Sequence, residues 1–335
     1  MLQKFPIIKY LLFIFLLFFI SSCVKNNELD NRIGFGLAAK ADEKYWSEKL
    51  GTQWYFDWGT LESPKKRDLE YWQTIRVHQG GYSPSSEKII SIAKHYPGYT
   101  WIIGNEPDNI YQDNTTPERY AHIYHELYTK IKSNDPTAKI AIAGVSQPTP
   151  ARILYLETVL ATYEQSYGKK MPIDWWNIHA YVLREEKDSW GADLPVGINL
   201  EHGELYEIDQ HGNLEIFKNN LITFRKWIKD QGYQNTPLVI TEFGILIPED
   251  FGYSLDFISD YLNATCEWLL FYQDIEIGYP ADDYRLIQKF AWFSLSDPTF
   301  VSSSLANFEQ NSLTPVGESF KLFTEQNKGT ITKIP

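Results

Sequence analysis

Two glutamates that follow strand-like segments are the residues of this sequence best suited to chemistry. Glu106 closes the segment that starts at Trp101, and Glu242 follows the strand-like residues 238–241. A carboxyl at the end of a buried strand is costly unless it has a partner or a role. Glu106 could instead cap a turn, since Asn105 and Asp108 favour one. Two facing carboxyls, one protonated and one ionised, would suit cleavage of a glycosidic bond.

Other polar and aromatic residues stand near the ends of strand-like segments and are candidates for substrate binding. They are Asp57, Trp58, Arg76, His78, Asn105, His179, Tyr181 and Trp292. His179 and Tyr181 alternate with apolar neighbours, so both are expected to point inward. They either position Glu242 or form a hydrogen-bonded core pair. Arg76 either orients Glu242 and keeps it ionised or belongs to a buried structural ion pair.

Aromatic side chains make up 16% of the residues. Sugars present C–H faces that stack on indole and phenol rings, so an aromatic cleft suits a carbohydrate ligand. Asp57, Trp58 and His78 are expected at the mouth of such a cleft. Trp190 would either line a distal part of the cleft or hold its own loop in place.

The elements that must position these residues alternate between strand-like and helix-like patterns. The predicted strands are 32–37, 53–59, 74–80, 100–104, 139–145, 174–182, 237–244 and 286–295. The predicted helices are 43–50, 86–95, 117–133, 151–163, 214–231, 255–272 and 316–326. A long irregular segment, 183–213, interrupts the pattern after the sixth strand.

This alternation predicts a parallel sheet, and eight strands in about 300 residues are typical of a single (β/α)8 barrel. A doubly wound open sheet is the competing fold. In a barrel, functional groups collect at the C-terminal ends of the strands. Strands four and seven lie on opposite sides, so Glu106 and Glu242 could meet at about 5 Å, the spacing of retaining glycosidases.

The segment around Glu106 resembles a known signature. Residues 101–107 resemble the Asn-Glu-Pro motif at the end of strand four in the retaining glycoside hydrolases of clan A, and residues 238–244 resemble that clan's strand-seven segment. The resemblance implies that Glu106 is the acid/base, that Asn105 binds the sugar 2-hydroxyl and that Glu242 is the nucleophile. It also implies that Trp292 forms the floor of the cleft.

Residues 54–59 and 104–108 are further similar to the glycosyl hydrolase catalytic-core group that includes endo-β-1,3-glucanases of family 128. This similarity implies a β-glucan substrate. The segment 183–213 looks like an insertion in that group's pattern. Such a loop could close one end of the cleft and favour attack from a chain end.

The N-terminus predicts an export signal with a lipid anchor. Lys4 and Lys9 precede the apolar run 11–20, which is too short to span a bilayer. Ser21-Ser22-Cys23 after that run resembles a bacterial lipobox, although an ordinary signal peptide with a chance cysteine would look similar. Residues 1–22 are therefore expected to be removed, 23–31 to form a tether and 32–335 to form the catalytic domain.

Charge and cysteine content exclude several function classes. The chain has 31 Lys and Arg against 43 Asp and Glu, a net charge of −12, which argues against nucleic acid as a partner. Two cysteines cannot build a disulfide framework, and Cys266 reads as a core residue. His202 and His211 do not follow a zinc or calcium spacing, so no metal or other cofactor is expected.

The sequence as a whole predicts a monomeric, retaining β-glycoside hydrolase that is held outside the cytoplasm, at the cell envelope, by a lipid on Cys23. The alternative from another class is a non-catalytic, surface-anchored glycan-binding lipoprotein that keeps the aromatic cleft. A barrel hydrolase that uses a metal is a third interpretation.

Overall fold

A computed structural model describes residues 32–38, 40–61 and 69–331. The predicted signal peptide, the tether and Cys23 lie outside these residues. Within them, no helix is long and apolar enough to cross a membrane.

Eleven short strands and eight α-helices make up the described chain. The strands are β1 (Ile33–Gly36), β2 (Trp54–Phe56), β3 (Glu70–His78), β4 (Gly81–Ser83), β5 (Thr100–Ile103), β6 (Lys139–Ile142), β7 (Trp176–His179), β8 (Leu238–Phe243), β9 (Lys289–Trp292), β10 (Ala306–Asn307) and β11 (Ser312–Leu313). The helices are α1 (Glu43–Leu50), α2 (Ser86–His95), α3 (Pro117–Asn134), α4 (Pro150–Tyr167), α5 (Leu214–Asp230), α6 (Leu255–Phe271), α7 (Pro315–Gln326) and α8 (Lys328–Ile331).

Eight of the strands form one parallel sheet in the order β6-β5-β3-β2-β1-β9-β8-β7. A parallel bridge between Ala141 and Trp175 joins the two ends of this order, just before β7. The amide of Ile142 also donates to the carbonyl of Trp175 over 3.1 Å. The sheet is therefore a nearly closed (β/α)8 barrel, which confirms the predicted fold.

Local sequence explains where several helices begin. Thr116 and Ser254 each accept a hydrogen bond from a backbone amide in the first turn of α3 and α6. Proline occupies the first turn of α3, α4 and α7, where its missing N–H costs nothing. These capping residues fix the points where the loops at the mouth of the barrel turn into helices.

Three features differ from the sequence-based expectation. β3 begins at Glu70 rather than at residue 74, and it turns directly into the antiparallel strand β4. A second small hairpin, β10–β11, follows the eighth barrel strand. Strands of two or three residues are too short to show a periodic pattern, so the sequence gives no signal for them.

Apolar side chains fill two separate layers. Inside the barrel, Trp54, Trp72 and Val239 belong to a small buried cluster. The larger core lies between strands and helices and contains Ile240, Phe243 and most other buried apolar residues. This division shows which face of each strand points inward, and therefore which side chains can reach the cleft.

The segment 183–213 is irregular apart from a short 3-10 helix at Ile208–Gln210, as predicted. Buried His211 anchors its far end. Its Nδ1 lies 2.8 Å from the carbonyl of Val182, and its Nε2 accepts from the amide of Leu246 over 2.9 Å. Burial lowers the pKa of His211 to about 4, so this imidazole stays neutral.

Candidate active site

Glu106 sits in a tight turn directly after β5. Gly104 has φ +96°, and Glu106 itself has φ +44°, a region that residues other than glycine rarely adopt. The amide of Glu106 donates to the carbonyl of Gly144 over 2.9 Å, which ties this turn to the end of the next barrel strand. Such local strain is typical of functional sites, where the surrounding structure fixes a side chain.

Glu242 reaches the mouth because β8 contains a bulge. Ile178 pairs with Ile240, but the next residue of β7, His179, pairs with Glu242, so β8 carries one extra residue. The register with β9 slips over the same residues, since Ile240 pairs with Phe290 and Phe243 with Trp292. The bulge keeps Phe243 in the outer core while Glu242 faces the cleft, and bulges often aim side chains in this way.

The two carboxyls meet at an imidazole. One ligand atom from each of Glu106, His179 and Glu242 lies within 4.8 Å of the other two, and all three residues are buried. The Nδ1 of His179 is 2.7 Å from a Glu106 oxygen and 3.4 Å from a Glu242 oxygen. Two glutamates more than 130 positions apart therefore approach each other and one imidazole at the C-terminal end of the barrel.

Three neutral donors hold the carboxyls in place. The amide of Asn109 donates to Glu106 over 2.7 Å. The indole N–H of Trp58 and the hydroxyl of Tyr181 donate to different oxygens of Glu242, over 2.6 Å and 3.0 Å. These bonds fix the rotamers of both glutamates before any substrate enters.

The protonation of these three groups is linked. Burial opposes a charge on His179, but the two carboxylates outweigh burial and raise its pKa. Burial also acts on Glu106, yet hydrogen bonds from His179 and Asn109 hold its pKa below the usual value. Burial and repulsion from Glu106 raise the pKa of Glu242. The directions of these shifts favour a proton on His179 over a proton on Glu106.

Trp58 is part of the site, whereas Asp57 acts behind it. Trp58 has φ +55° and reaches Glu242 from the loop after β2. Asp57 accepts hydrogen bonds from the hydroxyl of Tyr71 and the amide of Gly59. Burial raises the pKa of Asp57. Asp57 thus fixes the loop that carries Trp58.

Asn105 lies beside Glu106 and is buried. Its backbone amide donates to Asp113 over 2.7 Å. Arg76 also pairs with Asp113, 2.5 Å away, and not with Glu242. The expected role of Arg76 in orienting Glu242 is therefore wrong, because its half-exposed guanidinium points to the turn that carries Asn105 and Glu106.

His78 and Trp292 are not brought to the carboxyls. His78 is exposed, and its Nδ1 accepts from the amide of Gly80. Trp292 is completely buried in the outer core and donates to the carbonyl of Ser303 over 2.8 Å. Trp292 therefore cannot form the floor of the cleft, because alternation along β9 turns it toward the helices.

Phe293, the residue after Trp292, lies at the mouth of the barrel instead. Its ring packs edge-on against Trp58 and Tyr181, at centroid distances of 5.6 Å and 6.4 Å. Trp190 is partly buried against the same cluster. The mouth is thus aromatic, as expected, and Trp58, Tyr181 and Trp190 lie there, but Phe293 takes the place expected of Trp292.

Sequence reasoning missed three residues of the site. They are Asn109, Phe293 and Gly144. A β-carbon on Gly144 would lie 2.5 Å from the imidazole of His179, so this position has no space for a side chain. The spacing of Asn109 from Glu106, one turn further along the chain, was the only signal available.

The donor set of Glu106, His179 and Glu242 could also bind a divalent metal, since carboxylates and imidazole are common ligands. His202 lies on the exposed surface, and both nitrogens of His211 are engaged by backbone groups. Within the described ranges, no other group of three such residues converges.

Comparisons with known proteins show similarity in sequence over part of the chain and in fold over most of it. Residues 34–191 match the family described as glycosyl hydrolase catalytic core. A family 128 (subgroup II) endo-β-1,3-glucanase from Sorangium cellulosum is similar in structure, with a TM-score of 0.57, 17% identity and coverage of 87% of this chain and 97% of that chain.

Two further solved structures are similar over a comparable length. The Amycolatopsis mediterranei family 128 (subgroup I) endo-β-1,3-glucanase bound to laminaritriose has a TM-score of 0.56 and 14% identity, covering 88% of this chain and 99% of that one. The Blastomyces gilchristii subgroup III curdlan-specific exo-β-1,3-glucanase has a TM-score of 0.57 and 15% identity, covering 87% and 97%.

No curated protein matches this sequence. At identities below 20%, the structural likeness establishes the fold, and the family match rests on residues 34–191. That range includes Glu106, His179 and Tyr181. The similarity to the glycosyl hydrolase catalytic-core group that the sequence indicated is thus confirmed over residues 34–191.

Proposed function

We propose that this protein is a retaining glycoside hydrolase that cleaves a β-linked glucan by double displacement. The observation that carries the proposal is the buried cluster in which one oxygen of Glu106 and one oxygen of Glu242 lie within 4.8 Å of each other. Retaining enzymes hold their carboxyls about 5–5.5 Å apart, whereas inverting enzymes need about 6.5–9.5 Å to admit a water molecule.

In the first step, Glu242 attacks the anomeric carbon while Glu106 gives its proton to the leaving oxygen. Trp58 and Tyr181 each donate to a different oxygen of Glu242, which keeps the carboxylate oriented toward the sugar. Asn105 would hold the sugar 2-hydroxyl, as the resemblance implies.

In the second step, Glu106 takes a proton from a water molecule, and the resulting hydroxide releases the sugar from Glu242. The product keeps the β configuration because both displacements invert the same carbon. His179 stays beside both carboxyls throughout and balances the charge that moves between them.

Without substrate the two carboxylates favour a proton on His179, whereas the first step needs a proton on Glu106. His179 lies 2.7 Å from Glu106, so one transfer from Nδ1 to the carboxylate produces a neutral imidazole and a protonated Glu106. A substrate that displaces water favours this neutral pair over two separated charges. Substrate entry would therefore load the acid.

The proposed substrate is a β-1,3-glucan. The named structural neighbours act on β-1,3-glucans, and one of them is solved with laminaritriose. Trp58, Tyr181 and Phe293 line the cleft with ring faces and edges that suit a pyranose.

We also propose that a lipid on Cys23 holds the enzyme at the cell envelope, facing outside the cytoplasm. Ser21-Ser22-Cys23 after an apolar run supports this. Full-length protein should fractionate with membranes, and Cys23→Ala should release it. Equal partition of both forms would contradict the anchor.

The decisive experiment incubates the purified protein with β-1,3- and β-1,4-glucans, xylan and mannan. Released oligosaccharides are identified by mass spectrometry, and the first-formed anomer is identified by NMR. A β-anomer from β-1,3-glucan is expected. An α-anomer would refute retention, and glycan binding without any product would favour the non-catalytic alternative.

A further inference from the structure

A buried group of three charged side chains lies behind Glu106 and takes no part in the proposed chemistry. Asp108, Arg152 and Glu185 are each completely inaccessible to solvent. The Nε of Arg152 is 3.1 Å from Asp108 and 3.2 Å from Glu185, so one cation lies between two carboxylates. Burying such a group is expensive, and well-packed apolar residues often replace it without loss of stability.

A chain of polar contacts joins this group to Glu106. Ser146 donates its hydroxyl to Asp108 over 3.2 Å, and it accepts from the amide of Asn109 over 3.4 Å. The same amide donates to Glu106 over 2.7 Å. Burial and repulsion from Glu106 raise the pKa of Asp108 to about 6, against the attraction of Arg152.

The same group also fastens the long loop 183–213. Arg152 donates to the carbonyls of Ala192 and Asp193, both over 2.9 Å. Glu185 accepts from the hydroxyl of Thr149 over 2.6 Å and from the amide of Glu204 over 2.9 Å. One buried guanidinium therefore connects the loop at the rim with the turn of the acid/base.

We propose that Arg152 is a positioning residue that, through Asp108, Ser146 and Asn109, holds Glu106 where it can give and take the reacting proton. This inference rests on the proposed function. It assigns the buried charges to the acid/base step and leaves the attack by Glu242 untouched.

Arg225 provides a matched control. It is as buried as Arg152, but it donates only to backbone carbonyls, those of Ile277, Thr236 and Gln234. Both arginines stabilise the fold. Only Arg152 connects to Glu106.

The test compares Arg152→Met with Arg225→Met on two substrates. One is β-1,3-glucan, whose leaving oxygen needs a proton. The other is an activated aryl β-glucoside assayed with azide, which needs neither an acid nor a base. We expect Arg152→Met to lower kcat on the glucan at least about tenfold with little change in KM, and to change turnover of the aryl glucoside less than about twofold. Arg225→Met should alter neither rate.

Two milder changes keep the test decisive if Arg152→Met does not fold. Ser146→Ala removes the middle of the chain of contacts and should show the same substrate dependence with a smaller loss. Ser47→Ala, which removes a buried hydroxyl bound to the carbonyl of Thr52, is its control and should change neither rate. Arg152→Lys should restore part of the glucan activity.

The outcomes separate the two proposals. A wild-type protein that hydrolyses neither substrate would refute the proposed function. A wild-type protein that is active, with Arg152→Met and Ser146→Ala slowing both substrates equally or neither, would refute the role of Arg152 alone.

Discussion

The two ends of the barrel each hold a glutamate bound to an indole, but the burial of these glutamates and the charges around them differ. At the N-terminal end, Trp72 donates to Glu70 over 2.6 Å, and Lys289 pairs with the same carboxylate over 2.6 Å. At the C-terminal end, Trp58 donates to Glu242 over the same distance, yet the carboxyl and imidazole groups beside Glu242 are those of a second glutamate and one histidine, with no lysine or arginine of the described chain paired to it.

We infer from this difference that the pair of Glu70 and Lys289 supports the fold, whereas Glu106 and Glu242 serve the proposed reaction. An acid paired with a base neutralises itself and favours folding, whereas two acids that share one imidazole repel each other. A protein keeps such repulsion only where the reaction uses it. Glu70, at the N-terminal end of the barrel, should therefore matter for stability, and Glu106 and Glu242, at the C-terminal mouth, should matter for the rate of hydrolysis.

The largest expected effect is loss of catalysis from either mouth carboxyl. Glu242→Gln and Glu106→Gln should each lower kcat/KM on glucan by about 10³–10⁵, or roughly 4–7 kcal/mol. The melting temperature should stay the same or rise, because each change removes like-charge repulsion. Glucan hydrolysis and calorimetry measure the two quantities.

Glu70→Gln is the matched change at the N-terminal end of the barrel. It removes the carboxylate that pairs with Lys289, whose side chain is only 6% exposed, and should cost about 2 kcal/mol of unfolding free energy. Activity at a permissive temperature should be unchanged. If Glu70→Gln reduced turnover as much as Glu242→Gln, the contrast between the two ends would not hold.

The next effect concerns the neutral histidine of the mouth loop. Burial lowers the pKa of His211 to about 4, below that of the unfolded chain, which therefore binds more protons. Stability should be complete above about pH 6.5 and fall toward pH 4, by roughly 3 kcal/mol from this group. Urea unfolding at several pH values should show a flatter profile for His211→Gln, and exposed His78→Gln should keep the wild-type slope.

A smaller effect is expected from the indoles. Trp58→Phe removes a hydrogen bond to a charged carboxyl, which is worth about 1.5–3 kcal/mol, and should lower kcat about 10–100-fold. Trp72→Phe removes the hydrogen bond from Trp72 to Glu70 at the N-terminal end and should reduce the melting temperature only. Equal effects of the two changes on kcat would contradict the proposed difference between the two ends of the barrel.

The smallest expected effect is a shift in pH dependence. A protonated His179 holds down the pKa of Glu242, so His179→Gln should raise it. The acid limb of kcat/KM requires an ionised Glu242 and should therefore move to higher pH. An unchanged acid limb would show that His179 carries no charge in the free enzyme.

Sequence reasoning predicted the barrel well because long amphipathic helices and buried strands leave clear periodic patterns. It also placed Glu106 and Glu242 near each other, because parallel strands bring their C-terminal ends to one face. It failed where direction depends on local geometry. Trp292 faces the outer core and Phe293 takes the mouth, since one residue along a strand reverses the side.

Ion-pair choice was equally hidden from sequence. Arg76 selects Asp113 rather than Glu242 because the turn after β5 folds back beside β3, and that turn has no periodic pattern to read. Asn109 lies in the same turn, so its hydrogen bond to Glu106 has no periodic pattern in the sequence either.

The bulge in β8 has a genetic consequence. The strand carries one surplus residue, and the bulge absorbs it so that Glu242 faces inward. Loss of the Thr241 codon would restore even alternation and leave Glu242 facing inward, because the pairs of Ile240 with Ile178, Glu242 with His179 and Phe243 with Trp292 need no extra residue between them. We therefore expect β8 to tolerate this in-frame deletion, at the cost of the hydrogen bond from Thr241 to Asn177, a tolerance that substitution scanning would never reveal.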